Sequence, residues 1–307
     1  MYYPYLRSKQ NEMLALREIA QSDITYSHVM PIIEPVRELA TLDKTIQMME
    51  SANIHYAVIL NAKGYKADEA YAWLTKDEYC NYTPAFLCDD SISSVKSSLD
   101  SLEEIHDVIL VFKKDIDSDN EELLSLLTHP SVATIVGHMS RSLRKKLSQE
   151  SKQLVTFNAD AFRAQNSNAQ YDNVPDELYT EEHSFYKDDN YDGFSDFCVL
   201  PKDLQEGGMT PTTLAIHLTY KKNEDEIWVK HFLSDNRYGR ENIQHKFKEA
   251  AVHVKEFYDG QEIPKTEAVE QLLNCLQQEH YPGLGKLKEF SVWNHLELIN
   301  DFLENNR

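Results

Sequence analysis

The sequence predicts an α/β protein built as a (β/α)8 TIM-like barrel, and three features of the chain support this fold. Six short apolar segments alternate strictly with helical patterns in the first 162 residues, which is typical of a parallel sheet covered by helices. The segments are almost continuously apolar, as expected of strands buried on both faces. Two further apolar segments follow, and eight strands suffice to close a barrel.

An open doubly wound sheet is the alternative fold. Such a sheet would be expected to carry a glycine-rich phosphate loop after its first strand, and neither G-x-G-x-x-G nor G-x-x-x-x-G-K-[ST] occurs there. The barrel is therefore the preferred interpretation. The eight predicted strands span residues 28–36, 56–63, 83–90, 107–115, 132–139, 153–162, 193–200 and 212–220.

Capping residues support the helices between these strands. Asp117 or Ser118 precedes the pattern "DNEELL", and Ser140 precedes "RSLRKK". Residues 163–192 interrupt the alternation because they are polar and rich in Asn, Asp and Tyr. We expect a long loop there, with at most short helical pieces, and loops of this length are usually functional or mobile.

The last third of the chain is predicted to be a hairpin followed by helices. Strand 212–220 leads through "KKNEDE" into "EIWVKHFLSD", which we expect to pair back on the strand. Apolar spacing predicts a closing helix over 240–259 and a helical pair over 265–281 and 288–305, with "PGLG" as the turn. The expected organisation is a barrel domain over 1–260 and a helical extension over 261–307.

The composition is ordinary for a globular protein, with 41% hydrophobic and 27% charged residues among 307. No apolar run approaches the ~20 residues that span a membrane. The start of the chain, "MYYPYLRSKQNE", lacks the apolar core of a signal peptide. We therefore expect a cytoplasmic protein that does not contact membranes. The four cysteines lack zinc or redox spacing, which predicts reduced thiols acting as small apolar side chains.

The net charge of −20 disfavours direct binding of nucleic acid, because phosphate contacts require clustered Lys and Arg. The basic clusters are Lys113 with Lys114 and the segment "RSLRKK" at 141–146. An acidic surface is compatible with a basic protein partner, although simple solvation is its commoner explanation.

Polar residues at the ends of the predicted strands form the candidate site, because active groups of a (β/α)8 barrel lie at the carboxyl ends of its strands. Period two places Asn158 and Asp160 on one face, which we predict to be the inward one, where a buried carboxylate needs a partner or a metal. His217 is predicted to point inward from the last strand, whereas His231 is interpreted as structural. The candidate catalytic residues are Glu34, Lys63, His138, Asn158, Asp160 and His217, and the candidate ligand-binding residues are Asn61, Asp89, Lys113, Gly207 and Gly208.

These residue types suit general acid–base chemistry or the hydrolysis of a phosphate ester. Polar strand ends also occur without catalysis, because they meet water, and Gly207–Gly208 is either a phosphate loop or a plain turn. No cofactor is predicted, although Glu34, Asp89 and Asp160 would allow a divalent cation. A lysine nucleophile at Lys63 or Lys113 stays open, and the absence of G-x-S-x-G argues against a serine hydrolase.

Several segments together resemble the bacterial and phage "beta protein" family, and more closely its sister group of short bacterial proteins. They are "YYPYLRSKQNEMLALRE", "IIEPV", "ILNAK", "GFSDF", "AIHLTY", "KHFLSDN" and "HYPGLGKLKEFSVWNHLELIN", which cover nearly the whole chain. The resemblance implies a single domain with a C-terminal helical segment. Ser8 departs from it, because the pattern has a glycine there ("LRGKQ"), and a glycine in a tight turn would imply a different local geometry.

Three functions follow as hypotheses. The sister group is often encoded beside a predicted nuclease in mobile or defence-related gene clusters. The resemblance therefore implies a component of a phage-defence or toxin-type module that works with a protein partner. The polar strand ends favour instead an enzyme that acts on a phosphorylated or nucleotide-like small molecule. A nucleic-acid-associated accessory protein is the third hypothesis, and the net charge opposes it.

Overall fold

The computed structural model describes residues 1–75, 79–89, 92–102, 104–116, 120–203, 210–261 and 263–305. The chain divides into two compact units. The first consists of Met1–Ala159 and Phe185–Phe197, and the second of Asp160–Ser184 and Cys198–Arg307. No helix in the described residues is both long and apolar enough to cross a membrane.

The strands and helices alternate along most of the chain. The strands are β1 (Tyr5–Arg7), β2 (Ile32–Glu34), β3 (Tyr56–Ile59), β4 (Tyr82–Leu87), β5 (Val108–Val111), β6 (Val132–Val136), β7 (Gln153–Asn158), β8 (Asp176–Thr180), β9 (Gly193–Asp196), β10 (Ala215–Lys221) and β11 (Ile227–Leu233). The helices are α1 (Gln10–Gln21), α2 (Asp43–Ser51), α3 (Ala67–Leu74), α4 (Ile92–Ser101), α5 (Glu121–Leu127), α6 (Arg141–Ser148), α7 (Glu182–Phe185), α8 (Ile243–Gln261), α9 (Glu267–Gln277) and α10 (Leu284–Asn305).

The first unit contains the predicted (β/α)8 barrel. Eight parallel strands pair in the order β1-β2-β3-β4-β5-β6-β7-β9, with α1–α6 between them. All four residues of β5 are at most 1% exposed. This burial on both faces explains why the strands read as continuous apolar segments. The fold class predicted from the sequence is confirmed.

The barrel closes between the N-terminal segment and β9. Tyr2 forms parallel bridges with Val29 and with Phe194, and the Tyr3 amide donates to the Phe194 carbonyl at 2.8 Å. The Ser195 hydroxyl donates to the Tyr3 carbonyl at 2.6 Å. These bonds join the first and last strands and leave little unpaired sheet edge.

The assignment of the eighth barrel strand to residues 212–220 is wrong. The barrel instead begins one strand earlier, with β1, and ends at β9. Residues 212–220 do contain a strand, β10, but it pairs antiparallel with β11 in a separate sheet. β10 is buried at alternate residues over its first half, which is typical of an antiparallel strand with one face on a core rather than of a barrel strand.

The second unit contains a three-stranded antiparallel sheet in the order β10-β11-β8 and the helices α8–α10. The hairpin β10–β11 confirms the predicted pairing of "LAIHLTY" with "EIWVKHFLSD". The segment 163–192 contains the short helical pieces expected in a long loop, but also a strand that its composition does not predict. It forms the 3-10 helix Asn168–Asn173, the edge strand β8 and the short helix α7.

Helix termini follow the sequence closely where the chain is described. The Ser140 side chain accepts the Leu143 amide and caps α6, as predicted. Asn120 caps α5 by accepting the Glu122 amide at 2.8 Å; the predicted caps Asp117 and Ser118 lie outside the described residues. The three predicted C-terminal helices are confirmed as α8, α9 and α10, although α10 already begins within the predicted "PGLG" turn.

Candidate functional site

The strand register identifies the side chains that face the inside of the barrel. Tyr5 lies opposite Ile32 in the parallel pair β1–β2, and paired residues of neighbouring strands share a face of the sheet. The Tyr5 ring meets the Phe157 ring at 5.9 Å and the Phe197 ring at 5.3 Å between centroids. The face that carries Tyr5 therefore points inward. Tyr5, Phe157 and Phe197 form an aromatic floor at the carboxyl end of the barrel.

Glu34 and Lys113 meet over this floor. Lys113 follows β5, and its Nζ lies 3.7 Å from Oε2 of Glu34 at the end of β2. The Tyr5 hydroxyl donates to the same carboxylate oxygen at 2.8 Å. The Glu34 side chain is 13% exposed and that of Lys113 is 23% exposed. Such partial desolvation strengthens the attraction between the two charges relative to water.

Two further features set the electrostatics of the mouth. Burial and the Glu34 carboxylate raise the pKa of Tyr5 well above its usual value, so the phenol remains a hydrogen-bond donor. The Arg7 guanidinium lies 4.8 Å from the Phe197 ring centroid, and Arg7 is only 6% exposed. Arg7, Lys113 and Glu34 thus place two cations and one carboxylate around the aromatic floor.

Asn61 and Asp89 organise the backbone around the mouth. The Asn61 side chain accepts the Leu87 amide at 2.8 Å and donates to the Leu87 carbonyl at 2.7 Å, so it continues the pairing of β3 with β4. Asp89 Oδ1 accepts the amides of Lys113 and Lys114 at 2.9 and 3.3 Å. Both predicted ligand-binding residues therefore position the mouth, and Asp89 fixes the backbone that carries Lys113.

Lys63 and His138 lie at the exposed rim. Lys63 is exposed. His138 Nδ1 lies 3.4 Å from Asp115 Oδ1, and both side chains are mostly exposed. Neither side chain is held in place by packing, so the structure does not fix the position of either one for contact with a ligand.

The predicted inward orientation of Asn158 and Asp160 is wrong. Phe157 pairs with Ser195 and points inward, and successive strand residues alternate, so Asn158 lies on the opposite face. Asp160 belongs to the second unit, where its exposed carboxylate lies 3.5 Å from Lys202 Nζ. In β7 the residues that alternate with Asn158, including the apolar Phe157, point into the barrel.

His217 is not on a barrel strand, because β10 belongs to the antiparallel sheet of the second unit. Its partner is His231, directly opposite on β11. The two Nδ1 atoms are 2.7 Å apart. His231 Nε2 lies 3.4 Å from Glu177 Oε1 on β8. One hydrogen bond therefore couples His217, predicted to be reactive, to His231, predicted to be structural. Gly207 and Gly208 lie outside the described residues.

Sequence reasoning missed Tyr5, Arg7 and Glu177. β1 has only three residues and follows Pro4, so it offers too little apolar sequence to read as a barrel strand. The alternation Tyr3, Tyr5, Arg7 is the signal that could have identified it. The sequence does not identify Glu177, because the strand β8 lies in a segment whose polar composition predicts a loop.

The described residues do not bring a metal site together. No group of three or more His, Cys, Asp or Glu side chains among them is arranged to hold a metal ion. The basic cluster 141–146 is also partly committed to the fold. Arg144 is 8% exposed and donates to the Met139 carbonyl at 2.6 Å.

Comparison of the chain with protein-family models, with curated proteins and with solved structures finds no match.

Proposed function

We propose that the barrel mouth binds a small phosphorylated molecule and hydrolyses its phosphate ester, with Glu34 as the general acid–base. The observation that carries the proposal is the shared contact of Lys113 and Tyr5 with one Glu34 oxygen, beside Arg7. Lysine and arginine are the side chains that recognise phosphate oxygens. The site lies at the carboxyl end of the barrel strands, where this architecture places its active groups.

Each of these residues has a chemical role in the proposed reaction. Lys113 and Arg7 bind the phosphate oxygens and stabilise the charge that develops on them in the transition state. Glu34 removes a proton from the attacking water as the new P–O bond forms, and returns it to the leaving oxygen as the ester bond breaks. The Tyr5 hydroxyl and the Lys113 ammonium both contact Oε2 of Glu34 and hold the carboxylate in position. A divalent cation, which the sequence allows, would add to the same charge stabilisation.

Variants of two mouth residues test this proposal. We expect Glu34→Gln to lower kcat for bis(p-nitrophenyl) phosphate on the order of 100-fold, because the general base is lost. Lys113→Met is expected to lower kcat as well as raise KM, because the lysine both binds the phosphate and stabilises its developing charge. It should also weaken pyrophosphate binding measured by calorimetry. Lys114→Met is the matched control, since Lys114 is the exposed neighbour of Lys113. Assays run with and without Mg²⁺ test the cation.

Two results would contradict the proposal. One is full diester hydrolysis by a folded Glu34→Gln variant. The other is a native protein that neither hydrolyses the diester nor binds pyrophosphate, since Lys113 and Arg7 would then not recognise phosphate.

The biological setting we propose is a phage-defence or toxin-type module with a protein partner, such as a nuclease encoded nearby. The support is the resemblance to the beta protein family, whose segments contribute Tyr5, Arg7, Glu34 and Asn61 to the mouth. Co-purification with the product of the adjacent gene tests this role. Native protein that stays monomeric with that product present would count against the partner, whatever the outcome of the hydrolysis assays.

A further inference from the structure

The histidine pair of the second unit has a hydrogen bond that restricts its protonation. His217 and His231 face each other across β10 and β11, with their Nδ1 atoms 2.7 Å apart. At this distance one ring must donate and the other must accept, so at least one of the two Nδ1 atoms carries a lone pair. The pair can therefore exist in two tautomeric arrangements when neutral.

Glu177 selects between these arrangements. Its Oε1 lies 3.4 Å from His231 Nε2, and its Oε2 lies 3.5 Å from Arg163 Nη1. Burial raises the pKa of Glu177, and the Arg163 charge opposes that shift. An ionised Glu177 can only accept, so His231 Nε2 carries the hydrogen and His231 Nδ1 accepts from His217 Nδ1–H. The lone pair of His217 is then on Nε2.

The Nε2 atom of His217 is available for chemistry. The described part of the chain gives it no hydrogen-bond partner, and His217 is partly exposed. The rings of Phe162 and Tyr171 lie 5.3 and 4.7 Å from the His217 ring between centroids and fix its orientation. Burial, His231 and the Lys288 charge lower the pKa of His217 well below its usual value. The ring is therefore neutral and its lone pair is present at neutral pH.

We propose that Nε2 of His217 is a phosphoryl acceptor, a modification or catalytic site within the second unit. The donor class is a small phosphoric anhydride or phosphoramidate. Arg163 and Lys288 supply positive charge near the pair, which favours an anionic donor. His231 and Glu177 are positioning residues, because they act on the donor only through His217.

The transfer step involves His217, His231 and Glu177 together. The Nε2 lone pair attacks phosphorus and forms an N–P bond, while the bond from phosphorus to the leaving group breaks and its electrons stay with the leaving group. The Nδ1 proton of His217 moves to Nδ1 of His231. His231 thereby becomes an imidazolium. Burial and Lys230 oppose this protonation by lowering the pKa of His231 to about 4, and the Glu177 carboxylate, 3.4 Å away, favours it. The positive charge that would build up on His217 is thus moved to a site that has a counter-ion.

Phosphoramidate labelling of the full-length protein tests the acceptor. After incubation at neutral pH, we expect peptide mass spectrometry to find phosphohistidine at His217 ahead of His106, which is 84% exposed and serves as the internal control. His231→Asn is expected to slow labelling of His217 on the order of 100-fold, and Glu177→Gln to slow it less. Equal labelling of His217 and His106, or unchanged His217 labelling in folded His231→Asn, overturns the proposal.

A measurement on the native protein guards against variants that fail to fold. Nitrogen-15 NMR of the histidine rings is expected to show His217 protonated at Nδ1 and unprotonated at Nε2, with the reverse for His231. A histidine pair with only a structural role would not require His217 to keep its lone pair on Nε2. If His217 instead carries its hydrogen on Nε2, the acceptor atom has no lone pair and the proposal fails.

Discussion

Lys246 shows how a single buried charge can be satisfied entirely by the backbone. It is 0% exposed, and its ammonium donates to the carbonyls of Tyr238 at 2.9 Å and Gly239 at 2.8 Å, and also to that of Thr212. Three carbonyls match the three donors of an ammonium group. The residue therefore ties α8 to the segments before and after the hairpin without a carboxylate.

Replacing Lys246 should be costly, whereas replacing its neighbour two residues later should not. We expect Lys246→Met to lower the free energy of unfolding by about 3 kcal/mol, because buried carbonyls lose their donor. Lys248→Met is the control: its exposed ion pair with Glu279 is worth at most about 1 kcal/mol. Urea unfolding followed by the fluorescence of the three tryptophans measures both losses. Similar losses in the two variants would show that the carbonyl contacts of Lys246 contribute nothing specific.

The candidate site was predictable residue by residue only where a barrel strand had been recognised. Glu34, Asn61, Asp89 and Lys113 follow strands with clear apolar patterns, and all four lie at the mouth. Arg7 was missed with its strand. His217 was placed at the mouth because an apolar strand looks alike in parallel and antiparallel sheets, and only the pairing partner separates the two cases.

At the scale of an element, the start of α9 depends on two side chains. The Thr266 hydroxyl accepts the Val269 amide at 3.2 Å. The Glu297 carboxylate, on α10, accepts the Glu267 amide at 2.9 and 3.0 Å. Together they satisfy amides that the first turn of a helix leaves without partners. Burial nevertheless outweighs these bonds and raises the pKa of Glu297 to about 7.

This shift predicts a pH dependence of stability. The ordinary pKa of Glu297 is 4.5 and its pKa in the folded chain is about 7, so the native state binds the proton more tightly than the unfolded state does. Its contribution is therefore fully present below about 4.5 and is lost as the pH rises through about 7. We expect Glu297→Gln to flatten the fall in Tm between about pH 5 and 8, relative to the native protein.

The matched control for this measurement lies on α9 itself. Glu270→Gln removes an exposed carboxylate of the same first turn and should leave the pH profile parallel to that of the native protein. Parallel profiles for Glu297→Gln and the native protein would show that Glu297 titrates normally and that burial does not control its charge.

Helices were easier to predict than strand partners. The periodicity of α8, α9 and α10 and the Ser140 cap are local properties, and the structure has them where the sequence indicates. The sheet to which β10 belongs is a long-range property. In the structure, half-buried His217 alternates with buried Ile216 and Leu218, as is typical of an antiparallel strand. The sequence offers eight strand candidates for an eight-stranded barrel, and this count favours the wrong assignment.

At the scale of the whole molecule, closure of the barrel depends on a segment that carries little strand signal. Met1–Arg7 is aromatic and polar, contains Pro4, and still connects β2 with β9. Ser8 follows it without a positive φ, and its hydroxyl accepts the Val36 amide at 2.8 Å. The position therefore does not require a glycine, and a serine there adds a bond between the loops after β1 and β2.

Gly193 is the residue on which this closure can be tested. A Cβ added there would lie 2.6 Å from the Met1 carbonyl oxygen and 2.9 Å from the Tyr3 ring. The Met1 carbonyl is backbone that accepts the Phe194 amide at 3.1 Å, so it cannot retreat without opening the closure. We expect Gly193→Ala to cost about 1–3 kcal/mol, as overpacking does in well-packed interiors, and to increase deuterium uptake in β1 and β9.

Gly260 provides the control for the same chemical change. A Cβ added there meets nothing within 4 Å, and the residue lies in α8. Gly260→Ala should therefore be neutral or stabilise the protein by up to about 1 kcal/mol, because alanine favours helix. If Gly193→Ala leaves deuterium uptake in β1 and β9 unchanged, the N-terminal segment can move away without a loss of stability. The eight-stranded barrel would then hold together without the pairing of Tyr2 and Phe194.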